Sequence, residues 1–581
     1  MILQALTEYY RTLEDRGEVP PPGWSKVKIA YALCINEEGR LEQVISTQTE
    51  QKKGSKTVIA PQSMELPAPI KRSSGIAANF LWDSSTYLLG VDNKGKPQRA
   101  LDCFKAAKEL HENLLSQVST PAARAILAFF QTWQPEQAIT HPALAHCLDE
   151  ILSGVNLVFR FNGTYIQQDS MIRKAWNEHY QATGDGPSMV CLVTGKYGPV
   201  ESIHPAIKNV QGAQSSGAAL VSFNAPAFCS YGKEQNYNAP TSKYAAFAYT
   251  ASLNHLLADR EHVYHIGDTT VVCWAKCGGN VYQDFMGWFS FGQSEPSYTL
   301  EELQSALKNL CAGNTVELNE ELLDPDMEFY ILGLSPNAAR LSVRFFLKNS
   351  FGAFLRNVQA HQQRLEIVRP SYDKSDTISL WKLLSETVNQ NSRDKSPAPN
   401  LSGDVMRAIL TNTRYPVSLL NGVMLRIRAE HAITPGRAAI LKAYYLKNPN
   451  PDIPKEVLTV SLNPDSCNIP YNLGRLFSVL EAIQSAANPG VNTTIKDKYF
   501  NSASATPAMV FPVLTNLAQK HLKQLDPGLR TYYNKQLTAI FSKLGENYPS
   551  HLNLPQQGSF QLGYYHQTQA RFEKKEEKEN V

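Results

Sequence analysis

Apolar and polar positions change period along the chain, and each change predicts an element. Residues 2–15 (ILQALTEYYRTLED) carry apolar side chains at helical spacing with acids between them, an amphipathic helix. Residues 26–35 and 40–46 flank Asn36–Gly39 as a strand hairpin, and 51–69 read as polar and irregular. Residues 98–133 read as helix, as do 141–154 and 171–180, while 156–165 form a strand pair turning at Asn162-Gly163. Residues 188–194 and 263–276 read as strands, 245–257 and 298–311 as helices, then 327–334 and 337–347 as strands before a helix at 352–368. Beyond the linker-like run 388–403 (VNQNSRDKSPAPNLSG) the strand signal nearly vanishes. Helices follow at 405–410, 415–431 and 434–446, then a Pro-rich break at 448–454. The last helices, 471–487, 507–525, 529–544 and 560–575, have short joints, the sign of a bundle. The predicted class is α+β: a mixed region at 1–387 with antiparallel strands, the linker 388–403, a helical connector at 404–455 and an all-α bundle at 456–581.

One stretch departs from this rhythm. Residues 209–249 hold Glu234 as their single carboxylate and are dense in Gln, Asn, Ser and Gly. They read as a polar loop (211–217), a strand (218–224), a second polar loop (230–242) and a helix from Lys243. Amide side chains both donate and accept, and glycine lets a ligand approach the backbone, a combination suited to base edges and phosphates.

Composition narrows the class only slightly. Lys and Arg number 56 against 53 Asp and Glu, a net charge of +3 over 581 residues, so a basic surface must be local. Nine cysteines without pairing periodicity, no secretory leader pattern and no run of about 18 apolar residues lead to the expectation of a reducing cytoplasm. Arg340 and Arg344 share strand parity and would project from one face, either as a solvated surface or as a phosphate-tracking stripe. Arg426, Arg428 and Arg437 stand against Glu430 alone in their block, and Lys520, Lys523 and Arg530 give the bundle a basic side.

Catalytic signals are weak. Residues 90–97 (GVDNKGKP) approach a phosphate-cradling loop, but Pro97 stands where the metal-binding hydroxyl belongs. Ser215-Ser216-Gly217 with Lys196 falls short of an amidase set. His262, His265, Cys273 and Cys277 match no common zinc spacing. A binder explains the chain better than an enzyme, and no cofactor or metal is expected.

The residues also carry a resemblance. GAQSSGAALVSFNAPAFCSYGKEQNYNAP with SKYAAFAY, CLVTG at 191–195, SSGIAANFLWDSSTYLLGVD at 73–92, PNAARLSVRFF at 336–346, and the C-terminal GRLFSVLEAIQ, TIKDKYFNSASATPAMVFPVL and GYYHQ resemble the large subunit of the type I-C CRISPR interference complex (Cascade), over essentially the whole chain. The resemblance implies a non-catalytic subunit that reads a TTC-like protospacer-adjacent motif on duplex DNA. It further implies that the subunit helps open the helix, holds the displaced strand and docks the helicase-nuclease. Implied partners are the backbone subunits, the subunit at the crRNA 5′ end, target DNA, and a small subunit translated internally from the same gene, which the 456–581 bundle resembles. Under it, Lys71, Arg72, Ser73, Ser74 and Asn79, with Gln211, Gln214, Ser215, Ser216 and Asn224, are expected to read the motif. Lys208, Lys233, Gln235 and Asn236 would touch phosphate, and the arginines and lysines above would track the displaced strand. The competing expectations are a metal-dependent nucleic-acid-processing enzyme using His262 and His265, and a scaffold binding only crRNA and neighbouring subunits.

Overall fold

Alternation of apolar and polar residues builds the first sheet. The computed structural model describes residues 1–53, 56–70, 75–92, 95–182, 187–292, 298–318, 320–370, 373, 378–393, 395–398 and 400–572. Strands Tyr31–Ile35 and Leu41–Ser46 pair around a turn in which Asn36 Oδ1 accepts the Arg40 N–H at 2.8 Å. Gly39 closes that turn at φ +73°, and a Cβ there would meet Phe129 N at 2.2 Å, so only glycine fits. The sheet runs Leu41–Ser46, Tyr31–Ile35, Leu157–Phe161, Trp82–Asp83, with Tyr31–Ile35 parallel to Leu157–Phe161. A parallel pair needs a long crossover, and here it includes the helices Pro97–Leu115 and Pro121–Thr132. The expected single helix over 98–133 is thus two. Thr120 accepts the Ala123 N–H at 3.3 Å and Pro121 opens the second helix, a start signal inside an otherwise continuous apolar pattern.

Strands also occur where 51–69 was expected to be irregular. Thr49–Lys53 pairs with Lys56–Ala60, and Gln62–Pro67 pairs with Trp24–Ile29, burying Met64 and Leu66. That alternation is present in the sequence, but prolines at 61, 67 and 69 obscure it, because proline is tolerated only at strand ends and edges. Phe80, Phe129, Phe130, Phe159 and Trp176 fill the core. His111 is buried among them, held neutral by burial at a pKa pushed down to about 4, with Nε2 accepting the Leu81 N–H.

Two compact units result. The first comprises Met1–Ala206 and Val221–His255, the second Ile207–Leu220 and Leu256–Val581. The second contains an antiparallel sheet ordered Tyr264–Ile266, Thr269–Ala275, Glu328–Asn337, Arg340–Ser350. Thr269–Ala275 is buried along its whole length. Helix Phe351–Leu365 packs against this sheet and against Leu300–Ala312. The chain then becomes helical, and Ile469–Ala487 is the axis around which Pro507–Leu522, Pro527–Phe541 and Leu554–Ala570 pack. The architecture is α+β with a helical C-terminal region. Among the described residues no helix is long and apolar enough to cross a membrane.

Candidate nucleic-acid interface

In the second unit, Ile207–Leu220 forms a loop pinned at its base. Ile207 and Ala218 exchange backbone hydrogen bonds at 2.8 Å each way. Ala219 N donates to Ala339 O at 2.9 Å and Leu341 N to Ala219 O at 3.0 Å, so the loop lies along the edge of strand Arg340–Ser350. These isolated bridges replace the strand expected at 218–224, where apolar Ala218–Leu220 pair for a residue or two only. Gln211 N donates to Thr270 Oγ1 at 3.2 Å. Gly212, at φ +76°, lets the backbone pass Pro336, whose Cγ would lie 3.2 Å from a Cβ. With both ends fixed, Gln211, Gln214, Ser215 and Ser216 are exposed in the loop, and Lys208 is exposed beside its base. The fold therefore brings four expected motif readers beside the backbone of Arg340.

Arg344 departs from the parity expected of it. The register shifts between Gly333 and Leu334, leaving Arg344 without an opposite residue, so two-residue alternation does not carry from Arg340 to Arg344. Its guanidinium instead pairs with Asp268 and donates to Asn400 Oδ1.

The first unit holds Asn79, Asn224, Lys233, Gln235 and Asn236. Lys71, Arg72, Ser73 and Ser74 lie outside the described residues. Asn79 is buried, its Oδ1 accepting the Ile70 N–H at 3.0 Å and its own N–H donating to Asp83 Oδ2 at 3.0 Å. Asn224 is exposed. In the second polar loop Asn238 is the organiser: Oδ1 accepts the Ser230 N–H, and Nδ2 donates to the carbonyls of Lys233 and Gln235. Lys233 and Gln235 are exposed, whereas Asn236 is buried. At the tip stands Tyr231, 99% exposed at φ +53°. Tyr231 is an aromatic held out on a braced turn, and its signal in the sequence is Tyr231-Gly232 within a loop rich in polar residues.

Contacts sort the helical cations. Arg437 is buried, with Nη2 2.6 Å from Glu430, Nε 3.3 Å from Glu386 and Nη1 donating to Ala432 O. Arg426 pairs with Glu430 at 3.4 Å and Arg428 donates to Gln557 Oε1 at 2.7 Å. Arg530 donates to the carbonyls of Leu522, Lys523 and Leu525, closing the helix Pro507–Leu522. Lys520 and Lys523 are exposed.

Both ring nitrogens of His262 are taken by carboxylates, Asp259 at 2.7 Å and Asp284 at 2.7 Å, and Cys273 is fully buried in its strand. Among the described residues no three His, Cys, Asp or Glu side chains converge as a metal-ligand group. Pro97 opens a helix rather than a phosphate loop.

Among the candidates, Gln211, Gln214, Ser215, Ser216, Lys233 and Gln235 are thus exposed groups on braced loops, carried by a mixed sheet fold with a helical C-terminal region. The sequence profile of a family of CRISPR-associated proteins, described as CRISPR-associated protein (Cas_Csd1), matches residues 6–572, nearly the whole chain. The chain belongs to that family, that of the large subunit of type I-C Cascade. A search of curated proteins finds no match.

Proposed function

We propose that this Cascade large subunit recognises the protospacer-adjacent motif on target duplex DNA, promotes unwinding, stabilises the displaced strand and helps recruit the helicase-nuclease. The observation that carries this reading is the Ile207–Leu220 loop, braced at its base and exposing Gln211, Gln214, Ser215 and Ser216. A guide RNA supplies long-range sequence specificity, so the protein needs only a short element to read, and exposed amides on a loop with a braced base suit that task. Tyr231 is suited to insert at a base step and start opening, at a cost of a few kcal/mol per step offset by new contacts. The bundle 456–581 serves as the counterpart of a small subunit, with 448–454 as its border. Partners are crRNA-bound backbone subunits, the subunit at the crRNA 5′ end, target DNA and the helicase-nuclease. The subunit breaks no bond itself.

The test uses assembled complex with crRNA and targets carrying a TTC-like or a scrambled flank. Wild-type protein should prefer the TTC-like flank, and Gln214→Ala should lose about 1–3 kcal/mol of that preference. Tyr231→Ala should slow strand opening, read with 2-aminopurine beside the flank, while leaving the preference intact. Equal wild-type affinity for both flanks would replace this reading with a scaffold that binds only crRNA and neighbouring subunits.

A further inference from the structure

The first unit contains a cleft of about 670 Å³ that none of the roles above uses. Its walls are the helix Ile2–Asp15, the end of helix Ser170–Ala182, the loop 193–196 with strand Tyr197–Pro199, and the start of helix Lys243–Ala258. Side chains within that unit lock these walls together. Cys191 Sγ accepts the Thr194 N–H at 3.4 Å and the Ser242 N–H at 3.2 Å, and Leu192 N donates to Pro240 O at 2.9 Å. The loop is therefore tied to the first turn of the helix by backbone donors on both sides of one sulfur.

Charge in the cleft has one dominant sign. Arg11, Lys196 and Lys243 line it, and Glu8 is the single carboxylate among the described residues that do. The helix Lys243–Ala258 adds the positive end of its dipole. The cations are interleaved with rings. Lys243 Nζ lies 3.8 Å from the centre of the Tyr180 ring and donates to Tyr180 O at 2.7 Å. Arg11 Nε donates to Tyr244 Oη at 3.4 Å, and Tyr10 packs edge-on against Tyr244. Tyr197, 74% exposed, stands at the mouth beside Lys196. The volume falls within the range of small-ligand sites, about 300–1,000 Å³.

From these observations we infer that the cleft binds one or two unstacked nucleotides of a single strand, with Arg11, Lys196 and Lys243 on phosphate and Tyr197 and Tyr244 against bases. Phosphate selects the cations, and a base has the flat apolar face that Tyr197 offers to solvent. A duplex is excluded, since its bases are stacked and paired and cannot turn into a cleft of this size. Deoxyribose or ribose strands share this chemistry, and the experiment separates them. The inference does not depend on motif reading, because it requires no flanking duplex.

The measurement is fluorescence anisotropy of the full chain with fluorescein-labelled tetramers of deoxythymidine and of uridine, together with photocrosslinking of a 5-iodo-deoxyuridine or 5-iodo-uridine tetramer mapped by mass spectrometry. Crosslinks are expected on Tyr197 or Tyr244. Tyr197→Ala should weaken binding on the order of tenfold, with Tyr197→Phe restoring it, and Arg11→Ala with Lys196→Ala should weaken it at least as much. Tyr197 and Lys196 are exposed, so these variants should keep the wild-type melting temperature. Preference for the deoxy tetramer assigns the cleft to a DNA strand, and preference for the ribo tetramer to guide RNA. Crosslinks mapping elsewhere, or tetramer affinity unchanged in Tyr197→Ala and in the Arg11→Ala with Lys196→Ala variant, would overturn the inference even if the complex reads its motif.

Discussion

His262 shows how much one side chain depends on residues distant in sequence. Burial alone would push its pKa down, but the hydrogen bonds its ring N–H groups donate to Asp284 and Asp259 outweigh burial and raise it to about 9. The folded state therefore binds the proton more tightly than the unfolded chain, whose histidine titrates near 6.5. That stabilisation is complete below pH 6.5 and is lost as pH climbs through 9. Both carboxylates are partly exposed, which screens the effect to about 1–3 kcal/mol. Urea titrations at pH 6.5 and 9 should show wild-type stability falling over that window and a shallower fall in His262→Gln. Parallel slopes in the two proteins would refute the assignment. The spacing of His262, His265, Cys273 and Cys277 matches no common zinc pattern and gives no hint of a carboxylate partner; only the fold brings Asp284 to His262.

At the scale of elements, the bundle axis is the informative case. Its apolar stripe, Leu473, Leu476, Phe477, Leu480 and Ile483, was legible and is buried. The opposite face is buried too, through a polar seam in which Tyr471 meets His566, Arg475 meets Gln567 and Ser478 meets Thr568. Two glycines permit that contact. A Cβ on Gly474 would fall 1.9 Å from Phe560 O, and one on Gly563 would fall 2.0 Å from Tyr471 O. In sequence a helical glycine reads as a weakness of about 1 kcal/mol; here it sets the distance between two helices. Gly474→Ala should cost at least about 1–3 kcal/mol through forced separation, whereas Gly545→Ala, with open space around it, should be near neutral. Chemical denaturation midpoints compare them, and equal midpoints would contradict the close crossing.

Across the whole molecule, charge must be counted by partner rather than by residue. Arg437 is committed to Glu386 and Glu430 within the second unit, and Arg530 to a helix end, while Lys520 and Lys523 face solvent. Lys520→Ala with Lys523→Ala should reduce the salt slope of DNA binding by about 2 with little change in melting. Arg437→Ala should instead cost about 1–3 kcal/mol of stability by removing a buried guanidinium that bonds Glu430, Glu386 and Ala432 O, without a slope change of its own. A double lysine variant with an unaltered slope would remove those residues from the DNA path. Stretch 209–249 is likewise divided: its first polar loop belongs to the second unit and its second loop to the first.

Local periodicity and turn chemistry, which depend on neighbours a few residues apart, were enough to mark most helices, the first hairpin and the α+β class. The family likeness lies instead in whole strings of residues, such as GAQSSGAALVSFNAPAFCSYGKEQNYNAP, which periodicity does not show. Which cations are already neutralised, which glycines are crossings, and where three basic side chains and a tyrosine line a cleft were settled only by tertiary contact, because pairing and concavity are properties of segments that meet in space from far apart in the chain.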